Sequence, residues 1–336
     1  MNTQESVISN GVQAAQINKY GGSEAVQINE HVTIPKPAKG QLLIEVHAAG
    51  VNPADWKIRQ GYMQQVMPWT FPATLGGDFS GVVKEVGPLR HPPAGGADGA
   101  SVSEFKQGDE VYGQADIMHG IGSFAQFTLA ESTNVAPKPK SVNHIKAAAL
   151  PLAGTSALQA LIEHMNIKSG QRILIHGGAG GIGSFAIQIT KHLGAYVITT
   201  TSTDDVEFVK ALGADEVIDY KTQSFDELVS GIDAVFDTVG GETYDKSFKV
   251  LKKGGILVSM VQPPKEELAK QYGVNAIVQA SMVTSERLSK LAQLVEQGVI
   301  RVHIDRTFPL EQTARALEYL QTGHPRGKVV ITIKEN

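Results

Sequence analysis

The 336-residue sequence contains no cysteine. Disulfides, thiolate nucleophiles and cysteine-ligated zinc are therefore excluded. It also has little excess of either charge. Thirty Lys and Arg against 34 Asp and Glu leave a net charge of −4, with no global attraction for nucleic acid or a membrane surface. No apolar run approaches the roughly 20 residues that a membrane span requires. The first residues lack a basic-then-apolar pattern, so no secretory signal is expected and a cytoplasmic protein is. His47, His119 and Asp78 have no ligand spacing, and no metal site is expected.

What is present is an ordinary globular composition, 42% hydrophobic and 19% charged. The length suits roughly two domains. The plainest local signal lies at Arg172 to His192. Arg172-Ile173-Leu174-Ile175-His176 reads as a short buried strand, and five glycines then fall within the seven residues Gly177 to Gly183. After them Ile182, Phe185, Ala186, Ile189 and Leu193 recur at helical spacing. Gly178, Gly180 and Gly183 fit G-x-G-x-x-G, the turn that brings bare backbone N–H groups and a helix N-terminus to a diphosphate. A glycine turn without a ligand is the alternative. The register that follows favours the binding turn: a strand at Ala195–Thr201, a helix at Val206–Leu212, and strands at Val217–Tyr220, Ala234–Thr238 and Gly255–Ser259. Such alternation predicts a doubly wound parallel sheet, an α/β Rossmann domain.

Before this unit the texture is β-rich. Strands are expected at Gln13–Ile17, Leu42–Val51, Phe79–Val86, Glu110–Gly113 and Ser123–Leu129, forming a small barrel-like domain. Residues 1 to about 12 read as a polar tail, and Pro88 to Ser103 as a surface loop or disordered insertion. Ala147 to Ile162 reads as two helices joined near Pro151, a hinge between domains. After Val283 a helix at Leu288–Gln297, a strand at Val299–Ile304, a helix at Leu310–Thr322 and a strand at Lys328–Ile333 are expected to return to the first domain. The division is 1–145, 146–284 and 285–336.

The second strand of the parallel sheet ends in Thr199-Thr200-Thr201-Ser202-Thr203, and the first acids, Asp204 and Asp205, come later. A carboxylate at that tip would repel a 2′-phosphate and hydroxyls would donate to it, which favours NADP(H) over NAD. Ser202, Thr203 and Asp204 also suit a helix cap, and both roles are compatible. No arginine is available in this stretch to clamp a phosphate. Trp56, Tyr62, Met63, Met67, Trp69 and Phe71 form an apolar stretch suited to a substrate cleft, a lid or plain core.

Six segments carry a specific resemblance when taken in order: Gly50 to Gly61 (with Asn52-Pro53-Ala54-Asp55), Gly76 to Val83, Phe105 to Val111, the glycine turn, Phe236 to Gly241, and Gly327-Lys328-Val329-Val330. Together they resemble the medium-chain dehydrogenase/reductase superfamily. Within it the chain is similar to the zinc-independent quinone oxidoreductase and alkenal/enone reductase branch. The zinc enzymes carry cysteine and histidine where this chain has Asn52 and Gly77-Asp78, and a four-cysteine lobe that it lacks. The resemblance implies a GroES-like β-rich catalytic domain beside the Rossmann domain. It implies NADPH-dependent hydride transfer to a quinone or an α,β-unsaturated carbonyl.

The resemblance also implies roles for particular residues. Asn52 bonds the carboxamide or the substrate oxygen, and Lys57 lies near the nicotinamide ribose or the substrate carbonyl. Asp55 orients Lys57 or Arg59 or else only pairs on the surface, and Tyr62 is the nearest tyrosine to serve as proton donor, with solvent as the alternative. Thr155 stands beside the nicotinamide. Coenzyme contacts fall at Gly178, Ala179, Gly180, Gly181, Ile182, Thr201, Ser202, Thr203, Tyr220, Val239 and Lys328. A homodimer is implied, through an edge strand placed at Gly254 to Met260. The competing readings are an NAD(P)-dependent alcohol dehydrogenase, which the missing zinc ligands disfavour, and a nucleotide-binding or redox-sensing protein without turnover.

Overall fold

A computed structural model describes residues 11–88 and 105–334. The expectations for residues 1–10 and 89–103 lie outside the described residues. In the first part the strands are Val12–Ile17 (β1), Val26–Val32 (β2), Gln41–Val51 (β3), Ala73–Thr74 (β4), Asp78–Val86 (β5), Glu110–Gln114 (β6), Phe127–Glu131 (β7) and Val135–Pro137 (β8). β1 lies between β2 and β4 in a three-stranded sheet. β3 is the spine of a seven-stranded sheet. It pairs with β5 along one edge, and along the other with β7 and then Lys328–Thr332 (β16), which pairs in turn with Ile304–Pro309 (β15). The C-terminal strands thus close the sheet that the N-terminal strands open.

Between these segments the chain builds a six-stranded sheet from Arg172–His176 (β9), Tyr196–Thr201 (β10), Glu216–Asp219 (β11), Ile232–Asp237 (β12), Leu251–Ser259 (β13) and Asn275–Val278 (β14). All five ladders are parallel, and the order is β11-β10-β9-β12-β13-β14. That is the doubly wound order, whose reversal at β9 opens a crevice at the carboxyl ends of the strands. Ile173, Leu174 and Ile175 have no exposed surface, as a strand covered on both faces requires. One core packs Ile173 and Ile175 against the helix Gly181–His192, and another packs Leu174 and Val235 against Tyr244 and Phe248.

Pro151 starts the helix Pro151–Leu158 after a short helix at His144–Ala148, the two-helix joint expected there. Proline suits the first helical turn, where its missing N–H costs nothing. Three sequence expectations require correction. The strand expected at Ser123–Leu129 is divided. Phe124 to Gln126 bonds β1, and from Gln126 onward the chain also joins β3. The strand expected at Val299–Ile304 starts at Ile304, because residues 299–303 follow a helix end and form no ladder. Gly254–Met260 is no edge, since β13 lies between β12 and β14. The edge is β14, which the sequence reading missed along with the polar helix Glu266–Tyr272 before it.

Candidate active site

The crevice is a cleft of about 730 Å³ between the two large sheets, and it has three stretches along its length. At its centre is the turn from β9 into the helix Gly181–His192, with Gly180 as N-cap. The three fingerprint glycines do different things. A Cβ on Gly178 would lie 2.1 Å from Thr199 Oγ1, and one on Gly183 would lie 2.2 Å from the Gly177 carbonyl oxygen. These two are required by strand and helix packing. Gly180 lines the cleft, and its nearest neighbour would be 3.4 Å away. Ala179, Gly181 and Ile182 line the cleft beside it. The first turn of the helix offers N–H groups with no intrahelical partner, a ready anion site.

At one end stand Thr201, Ser202, Asp205 and the half-exposed Tyr220. The Ser202 hydroxyl donates to Asp205 Oδ2 at 2.7 Å. Arg326 arrives here from the turn before β16. Its Nε pairs with the Asp205 carboxylate and its Nη2 donates to the Asp204 carbonyl at 2.5 Å. Beside it the Gly327 N–H bonds the Ala179 carbonyl at 2.8 Å, fastening the C-terminal segment to the glycine turn.

At the other end are Val51, Asn52, Leu152, Ala153 and Lys328. Asn52 is buried at the start of the helix Pro53–Arg59, and Asp55 completes a capping box by accepting the Asn52 N–H at 2.7 Å. Asn52 Nδ2 donates to Asp78 Oδ2 at 2.9 Å, and the Leu152 N–H donates to the same carboxylate at 3.1 Å. Lys328 Nζ donates to the Val51 carbonyl at 2.9 Å and to Asn52 Oδ1 at 2.5 Å. Burial, together with the neighbouring Asp78 charge, pushes the Asp55 carboxyl up to about 7. Burial likewise pushes Asp78 up to about 6, against the pull of Lys328. Burial lowers the Lys328 ammonium from its ordinary value.

Known proteins share the family and the fold. Residues 38–140 match the alcohol dehydrogenase GroES-like domain, and residues 212–331 match the zinc-binding dehydrogenase model. The chain is 34% identical, over 98% of its length and 81% of the relative's, to an Arabidopsis thaliana protein named NADPH-dependent alkenal/one oxidoreductase, chloroplastic. It is 36% identical, over 96% of its length and 80% of the relative's, to the 2-methylene-furan-3-one reductase of Solanum lycopersicum. The chain belongs to the medium-chain dehydrogenase/reductase superfamily. Its similarity falls in the quinone and alkenal/one oxidoreductase branch. The quinone oxidoreductase of Coxiella burnetii superposes with a TM-score of 0.84 at 34% identity, covering 96% of this chain and 99% of that one. The Escherichia coli quinone oxidoreductase complexed with NADPH superposes at 0.83 with 26% identity, covering 96% and 100%.

Within this medium-chain reductase frame the expected site residues divide. Asn52, Ala179, Gly180, Gly181, Ile182, Thr201, Ser202, Tyr220, Val239 and Lys328 line the one cleft. Gly178 shapes it from behind. Thr155 is fully buried, and its hydroxyl donates to the Pro151 carbonyl at 2.6 Å, so it packs the helix and does not face the cleft. Thr203 turns outward and donates to Asp219 Oδ2 at 2.6 Å. Lys57 lies beside Trp56, its Nζ 5.7 Å from the ring centroid, and Tyr62 is 72% exposed; neither is among the cleft's lining residues. Asp55 caps the helix and orients neither Lys57 nor Arg59. Met67 and Trp69 are core residues of the β-rich part, with Trp69 Nε1 bonded to the Ile117 carbonyl at 2.8 Å. Arg326 and Asp78 are the functional candidates that sequence reasoning missed. The signal for Asp78 was its place in the Gly76 to Val83 motif. Nothing local links Arg326 to a strand tip 121 residues earlier.

Proposed function

We propose that this chain is an NADPH-dependent reductase of quinones or α,β-unsaturated carbonyls that works without zinc. One observation carries the reading: a single cleft joins a phosphate-binding turn, a hydroxyl-rich strand tip and a buried polar wall. Its volume falls in the roughly 300–1,000 Å³ range of cofactor and ligand pockets. The open face of Gly180 is a cradle that a Cβ would begin to fill. The relatives' names supply the substrate classes and the coenzyme. Ala179 to Ile182 would hold the diphosphate. Thr201, Ser202, Tyr220 and Arg326 would hold a 2′-phosphate, and Val239 would pack on the opposite wall.

Bound there, the reduced nicotinamide supplies the hydride. The protein's own task is placement and charge. Asn52 and Lys328 bring N–H groups to the end where an oxyanion forms. Tyr62 and Lys57 stand apart from this wall, so water is the proton source. Independence from zinc is supported by chemistry already in place. There is no cysteine, and the buried carboxylates sit with the Lys328 ammonium as their cation. A homodimer would form along β14, the outer strand of the parallel sheet. The relatives' names include chloroplastic and mitochondrial proteins, so the compartment is not carried over from them. Among the described residues no helix is long and apolar enough to cross a membrane.

The test is loss of NADPH absorbance with a panel of enones and quinones, run beside NADH and with a chelator present. Turnover with at least one acceptor, faster with NADPH and indifferent to the chelator, is expected. Binding of NADPH with no oxidation by any acceptor would favour a non-catalytic nucleotide-binding protein.

A further inference from the structure

The Asn52 side chain has a partner at each end. Its Nδ2 donates to Asp78 Oδ2 at 2.9 Å, and its Oδ1 accepts from Lys328 Nζ. Ionised Asp78 can only accept and ammonium can only donate, so chemistry fixes which way the amide faces. Asp78 is in turn held by the Leu152 N–H, at 3.2 and 3.1 Å from its two oxygens. Lys328 is 4% exposed and lines the cleft. Its Cδ lies 3.0 Å from where a Cβ on Gly181 would be. The stem therefore runs past the phosphate turn, and the charged head ends between Val51 and Asn52. An ammonium carries three donors. Two go to neutral oxygens, the Val51 carbonyl and Asn52 Oδ1. The Asp78 carboxylate bonds the Asn52 amide and not the ammonium itself, so one N–H of Lys328 remains for a ligand.

We propose that Lys328 is the cation that faces the oxyanion of the reacting substrate, and that Asp78 is its positioning residue, acting through the Asn52 amide. This rests on the reductase reading above. When a hydride reaches the β-carbon of an enone, the C=C electron pair moves toward the carbonyl and negative charge collects on its oxygen. The third N–H of Lys328 donates to that oxygen, and water then protonates the α-carbon. With a quinone the same N–H meets the ring oxygen, which takes its proton from water. With an asparagine at position 78, which offers an NH₂ as well as an oxygen, the Asn52 amide is no longer held in one orientation, and its NH₂ can turn toward Lys328 and drive the ammonium off the wall.

The test uses the full-length chain with Lys328→Met, Lys328→Arg, Asp78→Asn and the double variant Asp78→Asn/Lys328→Met. Three readouts are needed: kcat for an enone at saturating NADPH, the NADPH dissociation constant from quenching of tryptophan fluorescence, and the melting temperature. Lys328→Met should lower kcat by roughly 100-fold, the size of a lost oxyanion donor, with a much smaller change in NADPH affinity. Lys328→Arg should recover part of it. Asp78→Asn should lower kcat roughly ten-fold, and the double variant should be no worse than Lys328→Met. If Asp78→Asn fails to fold, Asn52→Ala removes the same bridge and should lower kcat at least as much, again with little change in NADPH affinity. The proposal is overturned if Lys328→Met loses NADPH affinity while kcat at saturation stands, or if the two losses multiply. A wild-type protein that turns over no enone or quinone would overturn the reductase reading instead.

Discussion

Asp55 is a carboxylate held almost wholly out of water, with Asp78 as a second carboxylate in the same pocket. Burial and that neighbour raise its pKa to about 7, against 3.8 for a free aspartate. The folded state therefore binds this proton more tightly than the unfolded chain. Its contribution to stability is complete in acid, below the unfolded value, and is lost as pH rises through 7. Asparagine mimics the protonated form and can still accept the Asn52 N–H. Asp55→Asn should therefore gain on the wild type as pH rises from 5 to 8, whatever constant cost the weaker cap adds. Thermal melts of both proteins across that range check it, and a difference that does not change with pH would sink it. His176 runs the other way. Burial pushes it down to about 4, and it sits neutral between Thr200 and Ser247. Its effect falls below 6.5, in the lower part of that range, and is common to both proteins, so it cancels in the comparison.

Among the elements, the strand, glycine turn and helix at 172–192 were legible because three signals coincide there: an apolar run, a helical period, and glycines at fixed spacing. The sequence could not say which glycine serves packing and which serves the ligand, because that depends on Thr199 and Gly177 lying across the turn. The structure separates them, and alanine substitutions test the separation. Gly183→Ala should cost roughly 1–3 kcal/mol by overpacking. Gly180→Ala has an ordinary φ of −73° and should melt near the wild type, yet bind NADPH at least about ten-fold more weakly. Equal melting temperatures for the two variants would refute the assignment. The misread elements have physical causes too. The alternation of Ser123–Leu129 is real, but the segment passes from one sheet to another, and period alone cannot show a change of partner. β14 has only four residues, half of them exposed, and follows a polar helix, so no buried run marks it.

At the scale of the molecule, the nucleotide-binding sheet and the β-rich part are joined across the cleft by the segment that leads into β16. Arg326 on that segment pairs with Asp205 at the tip of β10, and Gly327 fastens to the glycine turn. A hydroxyl-only strand tip followed by Asp204 and Asp205 is a poor host for a phosphate dianion. The arginine from the far end of the chain corrects the local charge, and its fork can hold a carboxylate and a phosphate together. Arg326→Ala should therefore raise KM for NADPH by roughly ten-fold or more and leave KM for NADH nearly unchanged. Arg326→Lys should recover only part, since a point charge cannot hold both partners. Steady-state kinetics with the two coenzymes decide it. If both KM values rise together, Arg326 is a latch between the two parts and has no part in choosing the coenzyme.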